Sequence, residues 1–286
     1  MRKLVAVLGA LVSASLVLIA PAGAVKFGQP DGGGHPYVGL VVFYEDGAPL
    51  WRCTGSLLSP TKLLTAGHCT GVDVASGTTP DRAEIWFDPG YPTPIPLSPD
   101  FPAAGPDPCA GVLGYPCTGD VGGTPVPDPL WNGGLTRSPQ THDVGVVLLD
   151  GAVGVSRYAL LPPLGYLDGL ASKRGQQDVR FTVVGYGLQE MKPVQVGLRT
   201  RVVGAVSLVS LRSALTDGWN IRTSNNPGQG QGGSGGTCFG DSGGPVLQGD
   251  VVVGVDSFVL NKNCAGASYA YRVDTASAQA FVNGTN

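Results

Sequence analysis

Short apolar runs separated by turn residues dominate the chain and predict a protein made of many strands. Val38, Leu40, Val41, Val42 and Phe43 form one such run between Tyr37 and Tyr44, closed by the turn signal Glu45-Asp46-Gly47. Residues 53–58 and 62–65 read as the next strands, and 144–149 carries the continuous apolar pattern of a buried strand. Further strands are expected at 180–185, 198–209, 243–247, 251–255 and 268–273. A closing helix is expected through Ala276, Ala280, Phe281 and Val282, with Asp274 as its cap.

Between Thr70 and His142 the pattern changes. Pro89, Pro92, Pro94, Pro96, Pro99, Pro102, Pro106 and Pro108 leave little room for regular ladders, so a long Pro-rich surface insertion is expected over about 75–140. Leu161-Pro162-Pro163-Leu164 reads as a crossing between two halves, 25–160 and 161–286. The Gly/Ser/Gln tract over 228–236 reads as a mobile loop. Two comparable strand-rich halves suggest an all-β fold of two packed antiparallel barrels.

With 286 residues and 42% hydrophobic content, the chain is long enough for one large core or two moderate ones. A net charge of −3 with 14% charged residues supplies no basic field for nucleic acid and no acidic tail. The 45 glycines and 24 prolines suit strands joined by turns. At the N-terminus, Arg2-Lys3 precedes an apolar run over 4–19 and the small-residue pattern Ala22-Gly23-Ala24. These features predict a signal peptide over 1–24, cleaved after Ala24, since the run falls short of the ~20 residues a bilayer span needs. A secreted, extracellular, monomeric protein without membrane association is expected after cleavage, and six cysteines in an exported chain point to disulfides.

The chemistry concentrates in three places. Gly240-Asp241-Ser242-Gly243-Gly244-Pro245 sets a serine among glycines beside an acid; Thr65-Ala66-Gly67-His68-Cys69 offers a base; Asp143, after His142, heads an apolar run. A serine hydroxyl becomes a nucleophile only with a base and an orienting acid, and unrelated hydrolases use these groups in different chain orders. Gly240-x-Ser242-x-Gly244 also fits the esterase elbow, but that fold needs a histidine after the serine. His35, His68 and His142 all precede Ser242. An acid before the base, with Asp31 or Asp46, lacks a suitable motif. His142 reads as a flanking residue and His35 as a loop residue. Histidines this scattered, with no cysteine pair at ligand spacing, make no zinc site, and no metal or cofactor is expected.

These residues resemble the chymotrypsin-like (trypsin-like) serine proteases. Thr65 to Cys69 is similar to the family's Thr-Ala-Ala-His-Cys with one Ala replaced by Gly, Gly240 to Pro245 matches the serine motif throughout, and His142 to Val146 resembles the aspartate segment. The resemblance spans about 25–282 apart from the insertion. It implies two six-stranded antiparallel Greek-key barrels with the site between them and polypeptides as substrates. By resemblance, Ser242 is the nucleophile, His68 the base and Asp143 the orienting acid, and the N–H groups of Gly240 and Ser242 form the oxyanion hole. Ser257 would bond Asp143, and Ser257-Phe258-Val259 would pair with substrate. Asp241 would meet a freed α-amino group, which cleavage after Ala24 would create on Val25.

The resemblance pairs Cys53 with Cys69 and Cys238 with Cys264. Cys109 and Cys117, close together in the insertion, remain as a third pair. Members that cut after Arg or Lys carry Asp at the position of Gly236, so a non-tryptic pocket is expected, narrowed and apolar at Val259. Asp256 leaves an alternative open: strand alternation puts it opposite Ser257, and pointing inward it would accept a basic residue. A protease-fold binding or adhesion protein without activity is the competing function. Asn283-Gly284-Thr285 is a glycosylation sequon.

Overall fold

A computed structural model describes residues 25–87, 94–134, 139–170, 178–189, 191, 195–225 and 235–286. The expected signal peptide and most of the Gly/Ser/Gln tract lie outside the described residues. After a short strand β1 (Gln29–Pro30), the first barrel is built from β2 (Val38–Glu45), β3 (Ala48–Ser59), β4 (Lys62–Thr65), β5 (Arg82–Trp86), β6 (Val121–Pro127) and β7 (Gly145–Leu149). They close in the order β2-β3-β4-β7-β6-β5. The β2–β3 hairpin turns through Asp46 and Gly47, both at positive φ (51° and 82°), the two-residue turn whose twist suits paired strands.

The second barrel contains β8 (Arg180–Gly185), β9 (Val202–Ser210), β10 (Asn220–Asn225), β11 (Pro245–Gln248), β12 (Val251–Val259) and β13 (Gly266–Arg272). Its order is β9-β10-β13-β12-β11-β8, closed by β8 against β9, with β1 added at β9. All pairings between named strands are antiparallel. A one-turn helix α1 (Gly67–Thr70) follows β4, and α2 (Ala276–Gly284) ends the chain. One apolar core runs from Leu40, Phe43, Leu63 and Ile85 in the first barrel to Tyr186, Leu247 and Tyr271 in the second, so the barrels pack through shared side chains. A second cluster, including Phe181, Leu208 and Val253, fills the second barrel.

Several elements differ from the sequence reading. The region 75–140 is not all insertion: β5 and β6 lie within it. Pro125 and Pro127 are tolerated in β6 because β5 pairs only with 121–123, leaving the prolines a single neighbour, β7. β10 is polar in sequence, yet it is buried through Asn220, Ile221, Thr223 and Asn225. Thr275, not Asp274, caps α2, accepting the Ala278 N–H at 3.3 Å, while Asp274 takes the Leu167 N–H at 2.8 Å and pairs with Arg272. No helix of the described residues is long and apolar enough to cross a membrane.

Three disulfides join Cys53–Cys69, Cys109–Cys117 and Cys238–Cys264. The first closes a separation of 16 residues and ties β3 to α1. Replacing both of its cysteines with alanine is expected to cost about 3 kcal/mol through the freed unfolded chain. Urea unfolding of the double variant, read by tryptophan fluorescence, checks this, and an unchanged midpoint would contradict it.

Candidate active site

Antiparallel pairing brings two of the three candidate groups together. β4 and β7 align Thr65 opposite Gly145, so His68, three residues beyond Thr65, meets Asp143, two residues before Gly145. The chain turns into α1 directly after Thr65, leaving His68 partly exposed while Asp143 is fully buried. Asp143 Oδ1 accepts the His68 backbone N–H at 2.7 Å. The ring Nδ1 lies 2.9 Å from Oδ2 and 3.1 Å from Oδ1. An ionised carboxylate only accepts, so Nδ1 carries the proton and Nε2 is left with its lone pair. Ser257 Oγ donates to Oδ2 as well.

Burial alone would lower the His68 pKa, but the Asp143 charge and hydrogen bond outweigh it and hold the ring above the ordinary value of 6.5. Burial likewise opposes charge on Asp143, yet His68, Ser257 and the His68 N–H keep its carboxyl below the usual carboxylate range.

Ser242 belongs to the second barrel, in the turn before β11, and lines the same cleft as His68. No hydrogen bond joins its hydroxyl to His68 among the described residues, and a contact of this kind commonly tightens only when substrate binds. The serine loop is clamped from the first barrel by Thr54 of β3: its N–H donates to Ser242 O at 2.8 Å and its hydroxyl to Gly240 O at 2.9 Å. Thr65 Oγ1 in turn donates to Thr54 O at 2.8 Å. Gly243 sits at φ 77°, and a Cβ there would come within 2.0 Å of Thr65 Oγ1, so the clamp needs a glycine. Sequence reasoning missed Thr54, since nothing local marks a strand threonine as a partner of a distant loop.

Gly240 adopts φ 95°, and the N–H groups of Gly240 and Ser242 donate to no protein acceptor among the described residues. Asp241 is buried and accepts the N–H groups of Gly187 at 2.8 Å and Cys238 at 2.9 Å. Burial pushes its carboxyl up to about 7, against the lowering effects of those N–H groups and of Arg52. Val25 is also buried: it lies against Gly204 of β9, while Asp241 lies against Gly185 of β8, which pairs with Val202.

Two cavities flank Ser242. One, of about 200 Å³, is bordered by Ser257, Phe258 and Val259 together with Asp256 and Thr237. Gly236 does not border it; Asn225 packs against that glycine instead. The other, of about 500 Å³, is walled by Trp51, Arg52 and Trp131, whose ring centroid is 6.4 Å from that of His68. Trp131 comes from the segment read as surface insertion, where nothing in the local sequence signalled its place. Cys53, His68 and Cys69 bring ligand-type atoms within 4.8 Å of one another, but the two sulfurs are joined to each other and offer no thiolate.

Residues 126–282, more than half of the chain, match the family model described as Trypsin. No curated protein matches the chain in sequence. Among solved structures, an HL collagenase is similar at 16% identity and a TM-score of 0.61, over 92% of this chain and 99% of that one. Human heparin binding protein is similar at 15% identity and a TM-score of 0.56, over 91% and 96%. At these identities the likeness is one of fold.

Proposed function

The chain belongs to the trypsin family, and from that premise we propose that it is a secreted serine endopeptidase acting through Ser242, His68 and Asp143. The observation that carries this reading is the Asp143–His68 pair, which leaves Nε2 unprotonated in the cleft that Ser242 lines. His68 Nε2 takes the Ser242 proton as the hydroxyl oxygen attacks the peptide carbonyl carbon. Collapse of the tetrahedral intermediate breaks the C–N bond, His68 returns the proton to the leaving amine, and the acyl group stays on Ser242. Water then repeats the sequence and frees the carboxylic acid. The Gly240 and Ser242 N–H groups, free of protein acceptors, bind the developing oxyanion, each worth about 3 kcal/mol in the transition state.

Substrate pairs in extended form with 257–259. In support, β12 pairs with β11 no further than Val255, so this edge is open among the described residues. Cleavage after Ala24 gives Val25 a free ammonium that moves to Asp241 and orders the serine loop. The packing of both residues around the β8–β9 pair supports this, and Edman sequencing that starts well beyond Val25 would refute it. Residues 25–160 and 161–286 are the two structural units. Disulfides accord with an extracellular site of action.

A fluorophosphonate probe tests the central claim: an adduct on Ser242 in folded protein is expected, and none would favour the non-catalytic binding reading. The pH profile is a second test. An imidazolium cannot accept the serine proton, so kcat/KM is full above the His68 pKa and falls as pH drops through it. The midpoint is expected above 6.5, the ordinary histidine value, because Asp143 stabilises the cation. A flat profile between about pH 5 and 8 would remove His68 from the role of base.

A further inference from the structure

The smaller cavity beside Ser242 has an acid in its wall. Asp256 and Ser257 of β12 both border this space, and their side chains part there: Ser257 Oγ turns to Asp143, while the Asp256 carboxyl lies with Thr237 and Asp241. The β12–β13 register shifts between Asp256 and Phe258, beside this cavity. The backbone of Asp256 is fixed against the serine loop: its carbonyl accepts the Gly243 N–H at 2.7 Å, and its N–H donates to Gly244 O at 2.8 Å. Asp256 therefore borders the cavity directly beside the loop that carries Ser242.

Asp256 is 4% exposed, and its Oδ2 has no hydrogen-bond partner. The Thr237 side chain bonds the carboxyl, while Asp241 is its charged neighbour and repels it. A buried acceptor left without a donor costs free energy that a ligand donor would recover. Burial holds the carboxyl well above the ordinary carboxylate range, so the group lacks a counter-charge. A second orphan lies beside it: Asn225 donates through Nδ2 to Thr237 O at 2.9 Å, but its Oδ1 is buried without a donor. That amide also fills the room a side chain at 236 would need, since a Cβ there would fall 1.4 Å from Asn225 Oδ1. An acid at 236 is thus excluded on steric grounds, and Asp256 Oδ2 is the carboxylate oxygen at this cavity left without a donor among the described residues.

We propose that Asp256 determines the primary specificity: the cavity takes a lysine or arginine side chain of the residue before the scissile bond, its N–H groups donating to the carboxylate of Asp256. The proposal rests on the endopeptidase reading and replaces the apolar pocket expected from sequence. Val259, half-buried at the mouth, packs the aliphatic stem, and the charged head meets the acid inside. The layout differs from a pocket with its acid at 236, although both select a cation.

The test uses the mature protein and chromogenic peptides that differ only before the cut, with Arg, Lys, Val or Leu there. Arg or Lys is expected to exceed Val and Leu by about 100-fold in kcat/KM, near the upper end of what leaving one buried polar group unsatisfied costs. D256N is expected to lose most of that advantage while Ser242 still takes the fluorophosphonate. Fastest cleavage after Val or Leu, or a basic preference unchanged in D256N, overturns the proposal. Should D256N fail to fold, the panel on the unaltered protein still decides. Binding of p-aminobenzamidine, read by its fluorescence, needs no turnover and separates the two readings. If nothing is cleaved or labelled, the endopeptidase reading falls; amidinium binding that D256N abolishes then sustains the acidic pocket, and absent binding overturns it too.

Discussion

Ser242→Ala is expected to lower kcat by about 10⁶-fold, the scale on which a nucleophile of this kind matters. The variant keeps the oxyanion donors and the cleft but has no atom to form the acyl bond. Because the three groups act as a unit, the double variant with His68→Ala should be scarcely slower than either single one. Stability should not follow activity. The Ser242 hydroxyl is partly exposed and makes no hydrogen bond among the described residues, so its loss should stay within about 0.5 kcal/mol. Steady-state rates on a peptide ester, with thermal melting as the control, check both parts. A fall of less than about 100-fold with the fold intact would remove Ser242 from the chemistry.

Asp143→Asn should cost about 10⁴-fold in kcat with little change of shape. The His68 backbone N–H demands an acceptor at the Oδ1 position, which seats the amide oxygen there. The NH₂ group then occupies the Oδ2 position, facing both the His68 ring and Ser257. To avoid a clash of donors, Nδ1 gives up its proton and Nε2 takes it, so the ring turns a hydrogen rather than a lone pair towards the serine. The lost negative charge also removes what raises the His68 pKa. NMR of the imidazole nitrogens should show the exchanged tautomer, and a variant with normal kcat would contradict the positioning role of Asp143.

The strands most legible in the sequence are those with unbroken apolar runs, such as β2 and β7, because burial on both faces leaves no polar residue to interrupt them. β6 was hidden by its prolines and glycines, and β10 by buried asparagine and threonine whose hydrogen bonds run to other segments. His68, Asp143 and Ser242 stood out because each sits in a local motif. Thr54 and Asn225 did not, since their partners lie in remote turns and no spacing encodes them. For Asp256 alternation left two outcomes open, and only the folded chain brings the residue to the border of the cavity beside Ser242.

Thr54 belongs to one barrel and grips the loop of the other through two main-chain carbonyls, those of Ser242 and Gly240. On the proposed mechanism, Ser242 and His68 therefore come into register only after both halves have closed and docked. A nascent chain with one half finished holds an inert hydroxyl, and a partly unfolded molecule loses its reactivity as the halves part. Under the endopeptidase reading, assembly itself would then serve as the safety catch against premature cleavage.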